Sequence, residues 1–141
     1  MTDSTVDPAT IEAYRETEYR VSGEDGFVLR VGERSSPLMD VYQRCGAHCG
    51  AYLTACNPGS VMLAPKVNRQ RQAALMKDLQ QLGYPVMPGI GLHPSNGWPA
   101  EPSALVLGIP LEDARALGAC HGQNAILWMG ADAVPELVML R

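Results

Sequence analysis

The run Ala104 to Ile109 is apolar at every position. A segment with no polar side has no face to offer water, so it suits a central strand in a sheet that helices pack against. The other elements fit around it. Asp7-Pro8 supplies a cap and a first-turn proline, and Ile11 and Tyr14 space an apolar edge over a short helix ending near Thr17. Thr17, Tyr19, Val21 and then Phe27, Leu29, Val31 alternate about Ser22 to Gly26, which predicts a hairpin with one buried face. Ser36-Pro37 restarts a helix with Leu38, Val41, Tyr42 and Cys45 at helical spacing, and Ala51 to Ala55 reads as a strand. The longest helix runs from Pro65 or Lys66 to Leu82, with the stripe Leu75, Leu79, Leu82 and a stop at Gly83.

Tyr84 to Met87 reads as a short strand, and Pro88 to Glu101, with three glycines and three prolines, as a long loop. Pro110 opens a helix that points Leu111, Ala114 and Leu117 inward, and Ala125 to Met129 with Glu136 to Leu140 make a closing hairpin. The expected class is α+β (mixed α/β): one compact domain over residues 1–141 with a flexible tip at residues 1–7, and a mixed sheet of about six strands with about four helices packed on it. The chain of 141 residues is long enough to bury a real core.

Charge and hydropathy exclude some partners. The net charge is −4, and the densest basic stretch, Lys66, Arg69 and Arg71, is only local, so no nucleic-acid partner is expected. The longest apolar run falls far short of the roughly 20 residues of a membrane span, so no membrane partner is expected either. Asp3, Asp7 and Glu12 stand where a leader would be basic and then apolar, which makes the cytoplasm the expected location. A protein partner is left open.

Cys45, His48, Cys49 and Cys56 lie close in sequence, but they lack the paired knuckle of structural zinc sites, so neither a metal nor another cofactor is expected. Cys56 has no local signature pairing it with His48, His93 or His121 as a base, and a core cysteine is favoured. Gly89-Ile90-Gly91 lacks the third glycine and the lysine of a phosphate cradle.

Short polar blocks at the ends of apolar runs carry the remaining signal. Asn57 lies just past a strand, Asn68 and Arg71 sit in the first turns of the longest helix, and Glu101 and Ser103 flank the start of the apolar run. Gln123 stands where a helix passes into a strand. Asn68 and Arg71 continue the helix's inward face, so they are predicted to meet Asn57, Glu101 and Gln123 near the sheet's end. Helix N-termini expose unpaired N–H groups, and arginine offers a planar fork, so the predicted ligand is a small anionic or polar molecule. Its binding candidates are Asn57, Asn68, Arg71, Trp98, Ser103 and Gln123. In a plainer account Asn57 forms a turn before Pro58, Arg71 pairs with Glu101, and Gln123 satisfies loop backbone groups. Trp98 is either a lid over a ligand or a plug that pins the long loop, and the plug is favoured.

Thr54-Ala55-x-Asn57-Pro58, Asn68-x-x-Arg71 with Leu75 and Leu79, Trp98-Pro99-x-Glu101-Pro102-Ser103, and Gly122-Gln123-Asn124-Ala125 together resemble the bacterial domain-of-unknown-function family numbered 3293. The likeness spans about Tyr19 to Leu140. The resemblance implies an aromatic residue, as in several members, before the Asn-Pro pair and before the Gly-Gln pair, where this chain has Cys56 and His121. The resemblance implies interest in Asn57, Asn68, Arg71, Glu101, Ser103 and Gln123, and supplies no activity. Three functions are therefore weighed. One is a module holding a small polar or anionic ligand. The alternatives are a hydrolase or transferase, with Glu101 as general acid or base and Arg71 stabilising negative charge, and a protein-interaction domain that uses the Pro88 to Pro102 loop.

Overall fold

The computed structural model describes residues 4–23 and 26–141. The described elements are α1 (Pro8–Glu16), β1 (Glu18–Val21), β2 (Phe27–Leu29), α2 (Ser36–Cys45), β3 (Gly50–Leu53), α3 (Pro65–Leu82), β4 (Val86–Leu92), β5 (Glu101–Leu107), α4 (Leu111–Cys120), β6 (Ala125–Met129) and β7 (Pro135–Met139). A single 3-10 turn at Pro58–Ser60 precedes α3. The strands make one sheet in the order β2-β1-β4-β5-β3-β6-β7. The chain is a compact α+β domain as expected, with seven strands where about six were predicted. Every neighbouring pair runs antiparallel, so strand direction alternates across the whole sheet and the sheet is not mixed.

Both faces of the sheet are covered along most of its length, which is why β5 is apolar from Ala104 onward. Tyr52, Leu105, Leu107, Leu127 and Met129 point to one face and pack with Leu38, Val41 and Tyr42 of α2. Ala51, Leu53, Ala104, Val106 and Ile126 point to the other, against Leu75 and Leu79 of α3 and Ala114 and Leu117 of α4. Helix ends depart from the expected stripes. Leu82 is 57% exposed although it shares the spacing of Leu75 and Leu79, and Cys45 at the end of α2 is exposed too. In both helices the last turn overhangs the core. The α3 stripe instead continues backward through buried Gln72.

The long loop is shorter than expected, because Pro88 to Leu92 belong to β4 and pair with β1 on one side and β5 on the other. Pro88 has no N–H to give, but its carbonyl accepts the Ser22 N–H at 2.8 Å. Gly89 is a close-approach glycine: a Cβ there would lie 2.7 Å from the Tyr52 hydroxyl oxygen and closer still to the Arg20 carbonyl oxygen. In sequence, proline and glycine here look like loop punctuation; in the sheet they sit where β4 passes Tyr52.

Part of the predicted tip, residues 1–3, lies outside the described residues, as do residues 24 and 25 of the first hairpin's loop. Within the described part, the Ser4 hydroxyl donates to the Arg141 carbonyl, and Asp7 Oδ1 caps α1 by accepting the Ala9 N–H at 2.8 Å. Among the described residues no helix is long and apolar enough to cross a membrane.

Candidate functional site

Helix α1 lies over the same sheet face as α2 but buries none of its residues. The space it leaves is a cleft of about 350 Å³, which falls within the usual size of small-molecule sites. Ala9, Ala13 and Tyr14 of α1 form one wall, and Tyr19, Tyr52 and Leu127 of the sheet form the floor. The Tyr19 and Tyr52 rings meet edge to face with centroids 5.4 Å apart. Their hydroxyls donate to the backbone carbonyls of Tyr14 at 2.6 Å and Arg20 at 2.7 Å, so the cleft meets mainly their rings. Burial pushes both phenol pKa values well up.

Glu101 is the carboxylate of the cleft. One of its oxygens, Oε2, accepts from Asn57 Nδ2 at 2.6 Å and from Trp98 Nε1 at 3.2 Å. No described residue donates to Oε1. Since no buried side-chain oxygen among the described residues lacks a partner, Oε1 reaches accessible space. Burial raises the Glu101 pKa above the usual carboxylate value, and the hydrogen bonds from Asn57 and Trp98 pull it back in part. Trp98 is half-buried and lines the cleft while its indole holds Glu101, so it acts as wall and pin together.

A polar network ties this carboxylate to the start of α3. Asn57 has φ 46° and ψ 60°, a left-handed conformation that turns the chain after β3. Its Oδ1 accepts the Leu63 N–H and Asn68 Nδ2, each at 2.8 Å, and its own N–H donates to Asn68 Oδ1 at 2.9 Å. Arg71 donates from Nε to the Ala55 carbonyl at 2.9 Å and from Nη2 to the His121 carbonyl at 2.8 Å. It does not pair with Glu101, which the plainer sequence account had assumed. Gln123 Nε2 donates to the carbonyls of Cys56 at 3.1 Å and His121 at 3.3 Å, and its Oε1 accepts from no described residue.

Asn57, Trp98, Glu101, Ser103 and Gln123 thus line the cleft, whereas Asn68 and Arg71 stand behind it and hold its end wall. Cys56 is buried next to this network, and burial raises its thiol pKa. His121, at the end of α4, places Nε2 2.9 Å from Asp78 Oδ2.

Several residues that build the site lie outside the sequence-predicted binding candidates. Gln72 Oε1 accepts the Ala55 N–H at 3.0 Å, extending the polar face of α3 by one position that the stripe Leu75, Leu79, Leu82 hid. Asn124 Nδ2 donates to the Tyr14 hydroxyl at 3.0 Å and to Ser60 Oγ at 3.3 Å, and the Tyr14 and Ser60 hydroxyls bond each other, which docks α1 to the rest of the cleft. His93 lines the cleft opening. Its Nδ1 accepts the N–H groups of Ser95 and Asn96, which leaves Nε2 to donate to Glu16 Oε1 at 3.1 Å. Tyr19 and Tyr52 were legible as strand residues only, because nothing local says which strand face will be left uncovered.

A family described as protein of unknown function (DUF3293) matches residues 53–126, just over half of the chain and the stretch from β3 to β6 that holds the polar network. Neither a curated protein nor a solved structure matches.

Proposed function

We propose that this chain, which belongs to the DUF3293 family of proteins of unknown function, is a binding module that holds a small polar molecule in the cleft beneath α1, anchored by Glu101. The observation that carries this reading is the division of labour on one carboxylate: Oε2 is fixed by Asn57 and Trp98 while Oε1 is left accessible. A partly buried carboxylate held in place on one side and unpaired on the other is costly to maintain for packing alone. Arg71 supports binding over group transfer, because the guanidinium required at a developing negative charge is bonded to two backbone carbonyls and lines no part of the cleft. The cytoplasm suits the same reading, since Cys45 and Cys120 are exposed free thiols, which a reducing compartment preserves.

Ligand-observed NMR against a panel of polar metabolites tests this, with wild type compared to Ala13→Leu. That substitution fills the cleft from the α1 side and removes no hydrogen bond. Compounds that bind wild type should lose binding to Ala13→Leu at unchanged melting temperature. Binding that survives the filled cleft places the site elsewhere, and binding that survives Glu101→Gln unaltered removes Glu101 as the anchor.

A further inference from the structure

Resting on the reading that the cleft binds a small molecule, we propose that its ligand is an organic cation, a protonated amine on a compact apolar body, with the ammonium at Glu101 and Gln123.

The balance of donors and acceptors favours this. Asn57, Trp98, Ser103, Gln123, Tyr19 and Tyr52 all line the cleft, and each donates within the protein, Asn57 with one of its two amide hydrogens. The acceptors are what remain: Oε1 of Glu101 and Oε1 of Gln123 take no hydrogen bond from any described residue, and both are accessible. The donors left over, on Thr10, on Asn96, on the second amide hydrogen of Asn57 and on one of the paired Tyr14 and Ser60 hydroxyls, are neutral. No lysine or arginine side chain among the described residues lines the cleft, and Arg71 is held behind it. An anion would find a carboxylate and a few neutral donors there, with no cation to offset its lost hydration. An ammonium carries three donors and no acceptor, which is the complement of the free atoms.

The surroundings agree with that charge. Tyr19, Tyr52 and Trp98 line the cavity with aromatic rings, whose faces attract cations within about 6 Å of the ring centroid. The other titratable side chains that line the cleft, Tyr14, Tyr19, Tyr52 and His93, bring no fixed positive charge, His93 Nδ1 accepting two backbone N–H groups. Burial raises the Glu101 pKa, so a cation brought to Oε1 would relieve a cost that the buried carboxylate already carries. Apolar walls from Ala9, Ala13 and Leu127 leave room for an aliphatic or single-ring body and few polar partners for it.

The test uses three probes of one shape on the full chain, followed by amide and indole chemical shifts: 2-phenylethylamine, 2-phenylethanol and 3-phenylpropanoate. At pH 7.5 the amine is expected to bind at least about tenfold more tightly than the alcohol, shifting Gly91 and the Trp98 indole, with no saturable shift from the carboxylate. Glu101→Gln should bring the amine down to the level of the alcohol and leave the alcohol within about twofold, since the lost term is the charge pair. Should the variant not fold, the amine-to-alcohol ratio on wild type decides alone. If the alcohol or the carboxylate binds as tightly as the amine, the cationic ligand is overturned while the binding cleft stands. If no probe shifts cleft residues, the cationic ligand is again overturned. The metabolite panel against Ala13→Leu then decides separately whether the cleft binds anything.

Discussion

Arg71 and Gln123 end on the same atom: Arg71 Nη2 lies 2.8 Å and Gln123 Nε2 3.3 Å from the carbonyl oxygen of His121. The same arginine reaches Ala55 past the end of β3, and the same glutamine reaches Cys56, so two side chains from different elements tie the end of β3 to the end of α4. Arg71 therefore acts as a strut. Its truncation leaves the Ala55 carbonyl without its donor and weakens the link to His121. Arg71→Ala should lower unfolding stability by about 2–3 kcal/mol, as hydrogen bonds from charged donors are worth about 1.5–3 kcal/mol each. Urea denaturation measures it, and a loss below about 0.5 kcal/mol would show that the strut is dispensable.

Glu101 makes stability depend on pH in an unusual direction. In the unfolded chain the carboxyl titrates near its ordinary 4.5, whereas burial raises its pKa in the fold. Between those two values the folded state holds more protons than the unfolded state, so stability falls as pH rises through that window, and above it the cost is fully present. Glu101→Gln cannot ionise, yet its amide oxygen can still accept from Asn57 and Trp98. The variant should therefore gain stability relative to wild type between pH 4 and pH 7. Denaturation curves at the two pH values check the sign, and a relative gain by wild type would refute it.

Sequence pattern located most of these residues and missed what each one does. Asn57, Asn68, Glu101 and Gln123 stood out because polar residues bordering apolar runs mark the ends of elements, and side chains at the same end of a sheet meet. Arg71 was found by the same spacing, but whether a guanidinium faces a cleft or a pair of carbonyls is a tertiary matter. The cleft was not legible, because it arises from α1 failing to bury any residue against a face that α2 covers elsewhere. Nor was the extension of β4 past Met87, where Pro88 and Gly89 read as loop until both neighbouring strands are in place.

Asn57 separates backbone strain from side-chain bonding. Its φ of 46° is costly for most residues, roughly 1–2 kcal/mol, and least so for glycine and asparagine. Both Asn57→Gly and Asn57→Ala delete the bonds to Leu63, Asn68 and Glu101, but only alanine adds the left-handed penalty. Asn57→Ala should therefore be less stable than Asn57→Gly by about 1 kcal/mol. Equal losses in paired melts would mean that the side-chain bonds alone hold this turn.

Leu79 and Leu82 test the overhang of α3, since they are the same residue type on the same predicted stripe. Leu79 is fully buried against the sheet, among Leu75 and the apolar side chains of β3 and β5, whereas Leu82 is mostly in water. Leu79→Ala should cost about 2–5 kcal/mol, through lost burial and the cavity left behind. Leu82→Ala removes little buried area and exchanges one good helix former for a better one, so its effect should stay within about 0.5 kcal/mol. Chemical denaturation of both variants gives the comparison. A loss at Leu82 approaching that at Leu79 would mean that this last turn is covered in solution, for instance by a second copy of the chain, and self-association measured by sedimentation would then distinguish that cause from a shifted helix.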